Sequence, residues 1–118
     1  MDTDYFRDLL LRTRDELNAS IEPIRARLRE PQRDSGGEIA VADQHPADAA
    51  TDTEMRELDV TTEVLFAARL REVEDALVRL DAGTYGTCVA CGKQIPAERL
   101  ELVPETPYCV EDAAKQNG

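Results

Sequence analysis

The sequence predicts a mainly α protein: an antiparallel coiled-coil helical hairpin over residues 1–82, with a tip loop at about 31–50, then a small metal-finger lobe over 83–118 that ends in a short C-terminal helix. Three observations carry this expectation. Two long stretches repeat apolar residues every three or four positions, one on each side of a segment rich in glycine, proline and aspartate. Only 4% of the residues are aromatic and none is tryptophan, which suits elongated helices better than a wide globular core. Three cysteines gather between positions 88 and 109, two of them separated by a pair of residues.

The first helix is expected from Asp4 to Glu30, where Phe6, Leu10, Leu17, Ile21, Ile24 and Leu28 form a seam interrupted at Arg14. Asp2 or Thr3 can cap its start, and Pro31 stops it because proline pushes the preceding residue out of helical geometry. Pro23 lies inside the run and is expected to kink the helix near Ile21 or split it. Residues 31–50, with Gly36, Gly37 and Pro46, read as the connecting tip. The chain's one histidine, His45, falls there. It is too far from the cysteines to join them within one chain, because a helix of about 45 Å at 1.5 Å per residue separates them.

The second helix is expected to open at Thr51-Asp52-Thr53-Glu54, a capping-box pattern. Met55, Leu58, Thr62 and Leu65 make one stripe, which shifts by a residue to Phe66, Leu70, Val73, Leu77 and Leu80, and both are read as core. Gly83 closes the helix as a left-handed cap. In the lobe that follows, Tyr85, Ile95, Leu100, Val103 and Tyr108 are the candidate core. They are too few to hold about 30 residues without a metal, docking on the hairpin, or both.

Cys88 and Cys91 have the C-x2-C spacing that points two thiolates into one coordination sphere at a tight turn, and Gly92 relaxes that turn. Cys109 supplies a third thiolate. The position that would complete a four-sulfur site is Asp112, whose carboxylate oxygen zinc also accepts and which leaves the same formal charge as a fourth thiolate. The reading is a zinc site of Cys88, Cys91, Cys109 and Asp112, with Glu111 as reserve ligand. The alternative is three buried core thiols without metal.

A third of the chain is charged and its formal net charge is −11, which opposes binding to DNA phosphates and favours a basic partner surface. The arginines come closest to a cluster at Arg25, Arg27 and Arg29, interleaved with seam residues, so no direct sequence-specific DNA binding is expected. No stretch approaches the roughly 18 apolar residues of a membrane span and the N-terminus lacks a signal pattern, so a cytoplasmic protein without membrane contact is expected. An enzyme is disfavoured. There is one histidine, no base placed beside a cysteine and no glycine-rich phosphate loop.

A hairpin followed by Tyr-Gly-x-Cys-x-x-Cys, Ile-Pro-x-x-Arg-Leu and a distal Cys109-x-x-Asp112 resembles the DksA/TraR family, over nearly the whole chain. The resemblance implies a bacterial regulator that binds RNA polymerase, passes its coiled coil through the secondary channel and keeps a zinc finger at the base. The family's tip motif Asp-x-x-Asp-x-Ala falls on residues 45–50, keeping Asp48 and Ala50 and placing His45 where the first acid stands. His-Pro-Ala-Asp is similar to a smaller, stress-associated branch. The C-terminal segment is shorter than the long final helix of full-size members, so a response to the nucleotide ppGpp is not carried over. A competing reading is a zinc-dependent or redox-responsive interaction module that does not act through polymerase.

Overall fold

The structure, a computed structural model, describes residues 1–30 and 46–117. Among the described residues four helices follow in order: α1 (Thr3–Arg29), α2 (Pro46–Ala82), α3 (Ala97–Leu102) and α4 (Val110–Asn117). The first two lie side by side and antiparallel: Arg7, near the start of α1, pairs with Asp81 at the end of α2, while Arg27 at the far end of α1 pairs with Asp59. The result is a rod with a lobe at one end, measuring 62 × 30 × 19 Å. No described helix is long and apolar enough to cross a membrane.

Local chemistry explains the ends of α1. The Asp2 carboxylate accepts from the Tyr5 amide at 3.1 Å, satisfying a donor that the first turn leaves open. At the other end Glu30, the residue before Pro31, is already extended, with φ −67 and ψ 130. Of the two outcomes expected at Pro23, a kink or a split, the split does not occur, and α1 runs through it as one helix. Its ring is on the exposed side, and the carbonyl deprived of a partner belongs to Ala19, also exposed, where water can satisfy it.

α2 begins five residues before the expected capping box, so Asp48 and Ala50 are helical rather than part of a loop. Pro46 occupies the first helical position, where a missing N–H costs nothing, and Ala47, Ala49 and Ala50 follow with the highest helix propensity. His45 lies outside the described residues. The other end stops as expected at Gly83, with φ 78. Its amide donates to Leu80 and that of Thr84 to Arg79, the paired bonds of a Schellman stop.

One continuous core joins the base of the hairpin to the lobe. Phe6, Leu10, Leu17 and Ile21 from α1 meet Val73, Ala76 and Leu80 from α2, and Tyr85, Cys88, Ile95 and Leu100 from the lobe. The rings of Phe6 and Tyr85 stand 5.7 Å apart, which ties the start of α1 to the lobe. Of the expected lobe core, Tyr85, Ile95 and Leu100 are buried and Val103 and Tyr108 half-buried.

The distal half of α2 departs from expectation. Met55, Leu58 and Leu65, assigned to the core from their spacing, are 61%, 64% and 63% exposed. The cause is register. Leu80, Val73 and Phe66 recur every seven residues against α1, and the same row continued lands on Asp59; the parallel row Leu77, Leu70 lands on Glu63 and Arg56. A stiff helix cannot turn its other face inward halfway along. The polar seam is matched by α1: Arg27 grips Asp59 through two bonds of 2.9 and 3.0 Å, Arg25 reaches Glu63 at 3.7 Å, and Arg56 donates to the Leu28 carbonyl at 3.0 Å. The hydrogen bonds from Arg27 hold the Asp59 carboxyl below its usual range.

Burial this uneven makes stability uneven. Leu10→Ala, at a position with no exposure, should cost about 2–5 kcal/mol in urea unfolding, whereas Leu65→Ala should stay within about 0.5 kcal/mol. Equal losses from the two variants would mean that the distal stripe contributes to the core.

Candidate metal centre

The knuckle is built on a tight antiparallel turn. Thr87 and Gln94 form a single β-bridge, the Cys88 amide donates to the Lys93 carbonyl at 2.8 Å and the Gly92 amide returns to the Cys88 carbonyl at 2.9 Å. Gly92 takes φ 78, which residues with a side chain rarely adopt, so the turn that brings Cys91 back beside Cys88 depends on glycine at this point. Cys109 arrives from the other side. The Val89 amide donates to the Pro107 carbonyl at 2.9 Å and so ties the two arms together. α4 starts at Val110, and one turn along it Asp112 comes round beside Cys109.

Cys88, Cys91, Cys109 and Asp112 therefore converge, each offering one ligand atom, with all four atoms within 4.8 Å of one another. Cys88 and Asp112 are buried, Cys109 half-buried and Cys91 exposed. The Cys91 and Cys109 sulfurs are 3.9 Å apart, close to the edge of about 3.8 Å that zinc–sulfur bonds of about 2.3 Å give in a tetrahedron. Asp112 Oδ2 lies 3.1 Å from the Cys88 sulfur and 3.2 Å from that of Cys109, somewhat inside the roughly 3.6 Å of a zinc-centred sulfur–oxygen edge. A few tenths of an ångström of opening admits the ion, so the donor set fits zinc. The second oxygen, Oδ1, faces the Lys115 ammonium at 3.8 Å, leaving Oδ2 as the inward donor. Glu111, the reserve ligand of the sequence reading, is exposed and does not join the cluster.

The electrostatics are those of a site that binds cations by giving up protons. The Asp112 carboxyl is pulled down to about 2 by hydrogen bonds from Cys91, then Cys88 and Cys109, so it stays anionic. The Cys91 thiol is pushed up to about 12, chiefly by that same carboxylate. Burial raises the Cys88 thiol, but amides of Cys109, Cys91 and Ala90 facing its sulfur more than offset this and leave it below the usual value.

Another contact holds the lobe to the rod, and the sequence reading missed it. Glu105, only 4% exposed, receives Arg69 Nε from α2 on Oε2 at 2.9 Å, and its backbone carbonyl accepts from Arg79 at 3.4 Å. Its Oε1 finds no partner among the described residues. Nearby the Tyr85 hydroxyl donates to the Pro104 carbonyl at 2.9 Å, and burial pushes that phenol up to about 12. The available signal was slight: a lone acid enclosed by Pro104 and Pro107, in a stretch too short for a charge to be free of its neighbours. Of the three tip residues, His45 lies outside the described residues and the other two are remote from this centre. Asp48 and Ala50 are on the first turns of α2, at the far end from Gly83.

Residues 83–115 match the prokaryotic dksA/traR C4-type zinc finger. The whole fold is similar to the structure of transcription factor DksA2 from Pseudomonas aeruginosa, with 34% identity and a TM-score of 0.73, covering 98% of this chain and 82% of that one. The chain belongs to the DksA/TraR family. Among curated relatives it is 44% identical over 78 residues to the uncharacterized protein YteA of Bacillus subtilis, covering 66% of this chain and 33% of that protein. It is 32% identical over 66 residues to the RNA polymerase-binding transcription factor DksA of Haemophilus influenzae, covering 56% of this chain and 46% of that one. The matched stretches thus span between a third and just under a half of these relatives.

As a member of a zinc-finger family whose cysteine cluster can hold a metal, the protein is expected to carry one zinc per chain, measurable by elemental analysis after purification without chelator. Binding must displace at least the Cys91 proton, so zinc affinity should fall roughly tenfold or more per pH unit between about pH 8 and pH 6. A chelator competition that is flat over that range would mean that the thiols are not ligands.

Proposed function

We propose that this protein regulates transcription by binding bacterial RNA polymerase, with the helical hairpin inserted in the secondary channel and the zinc lobe as its structural base. The observation that carries the reading is the shape: a paired-helix rod with its metal lobe at one end, in a fold matched over 98% of the chain by a transcription factor structure. The related Haemophilus protein is named for binding RNA polymerase. Zinc is held by Cys88, Cys91, Cys109 and Asp112, three thiolates and one carboxylate. It acts by fixing the lobe's geometry, not by chemistry on a substrate, and the protein is not an enzyme.

His45, Asp48 and Ala50 form the working tip. Asp48 brings a negative charge to a site where water is scarce and a charge acts strongly, and Ala50 leaves room for close approach. Direct DNA binding is not part of this reading. Arg25, Arg27 and Arg29 are each engaged in an ion pair, with Glu63, Asp59 and Glu22, so they form no free basic patch. A partner in transcription places the protein in the cytoplasm. ppGpp has no assigned role.

Two sets of variants test the assignment. Asp112→Ala should weaken zinc retention against a chelator and Asp112→Cys should tighten it, because a thiolate completes a four-sulfur site. For the tip, wild type, Asp48→Asn and His45→Asp would be compared by in vitro transcription at matched polymerase occupancy. Loss of effect is expected for Asp48→Asn and a stronger effect for His45→Asp. Removing the Asp48 charge near a helix start should cost folding no more than about 1 kcal/mol. If all three act alike, the tip is only a connector.

A further inference from the structure

Between Val103 and Cys109 the chain belongs to no helix or strand. Pro104 and Pro107 lack amide hydrogens, which works against strand pairing, yet this arm must bring Cys109 and, at the start of α4, Asp112 to the thiols of the knuckle. Its last step is held by side chains. The Tyr108 amide donates to the hydroxyl oxygen of buried Thr106 at 3.2 Å, and the Tyr108 carbonyl accepts from that hydroxyl at 3.2 Å and from Arg99 Nε at 3.0 Å. Arg99 Nη2 also faces the Thr106 oxygen at 3.5 Å, so one guanidinium spans both anchors. The residue directly before Cys109 thus has its amide and its carbonyl fixed from outside the backbone.

α3 places that guanidinium. Leu100, with no exposure, fastens the helix to the common core, and the Arg99 amide closes the first turn on the Pro96 carbonyl at 3.0 Å. The Arg99 side chain is half-buried and reaches across to the second arm. In a chain with 25 acidic residues, its hydrogen bonds go to a carbonyl and a hydroxyl. A bond from a charged donor is stronger than one between neutral groups, so the arm is held firmly where it meets the ligands. The planar fork also matters, because it addresses two oxygens at once from a fixed direction, which an ammonium on a flexible stem does not. We infer that Arg99, together with Thr106, is a positioning residue of the zinc site, which holds the Tyr108 peptide so that Cys109 stands ready beside Cys88, Cys91 and Asp112. The inference rests on the zinc assignment above and names what sets the affinity of that site from outside its donors.

The experiment measures zinc affinity of the full chain by chelator competition for wild type, Arg99→Ala, Arg99→Lys, Thr106→Val, Cys109→Ala and the double variant Arg99→Ala/Cys109→Ala, with circular dichroism to check folding. Arg99→Ala should bind zinc roughly 10- to 100-fold more weakly. Thr106→Val, which keeps every charge, should weaken binding as well, and Arg99→Lys should recover only part of the loss. Once Cys109 is gone, Arg99→Ala should add clearly less than its factor in the native site, because the two act on one arm. Wild-type affinity in a folded Arg99→Ala overturns the inference and leaves the zinc site standing. Full recovery by Arg99→Lys with an unchanged Thr106→Val also overturns it, since charge alone then accounts for the effect. So does a double variant whose loss is the product of the single losses, because Arg99 then supports the lobe at large. Should Arg99→Ala unfold, Thr106→Val, alone and combined with Cys109→Ala, decides by the same measurement. A wild type that takes up no zinc overturns the zinc assignment and the inference with it.

Discussion

The seven-residue register of α2 against α1 is the constraint on which the rest depends. Phe66, Val73 and Leu80 settle it near the base, where Leu10 and Ile21 of α1 are buried among them. A coiled pair has no means of changing face along its length without a break in its repeat. Everything further out inherits the choice: Asp59 and Glu63 fall in the seam, arginines of α1 meet them, and leucines that a hydropathy reading would bury stay in water. The apolar core is accordingly concentrated at one end, and the far end is closed mainly by charge. Exposed ion pairs of this kind add little stability.

The metal lobe depends on the same base. Tyr85 and Ile95 pack into the hairpin core, and Leu100, on the short α3, is buried with them. Cys88 belongs both to this core and to the donor cluster, so the metal site and the apolar packing share a wall. Asp112 is placed by a helix start, where the free amides of the first turn favour an anion. This gives a physical reason why a carboxylate is tolerated at a position that a family named for four cysteines fills with sulfur.

Much of this was legible in the chain itself. The α1 seam was readable because one period accounts for it from Phe6 to Ile24, and the donor set because C-x2-C and a distal cysteine leave few other geometries. α2 was harder. It carries two competing stripes, and only the partner helix decides between them, through Arg25 and Arg27, which sequence periodicity treats as surface. Pro23 and Pro46 show how proline is read from sequence: one sits inside a helix it was expected to kink or split and did not split, the other begins a helix earlier than the capping pattern suggests. The Arg69–Glu105 contact joins residues 36 positions apart and leaves no periodic trace at all.

That contact has a mechanical side. Glu105 is gripped through one of its two oxygens, by one guanidinium, at the junction where the lobe leans on the rod. The long dimension of the molecule is 62 Å, so this junction stands at the short end of a long lever. Each degree of tilt at the pivot sweeps the far end through about 1 Å, the kind of lever by which small local shifts become large displacements. The direction of the rod is therefore set at its foot, where the apolar core shared with the lobe and the grip on one buried acid meet.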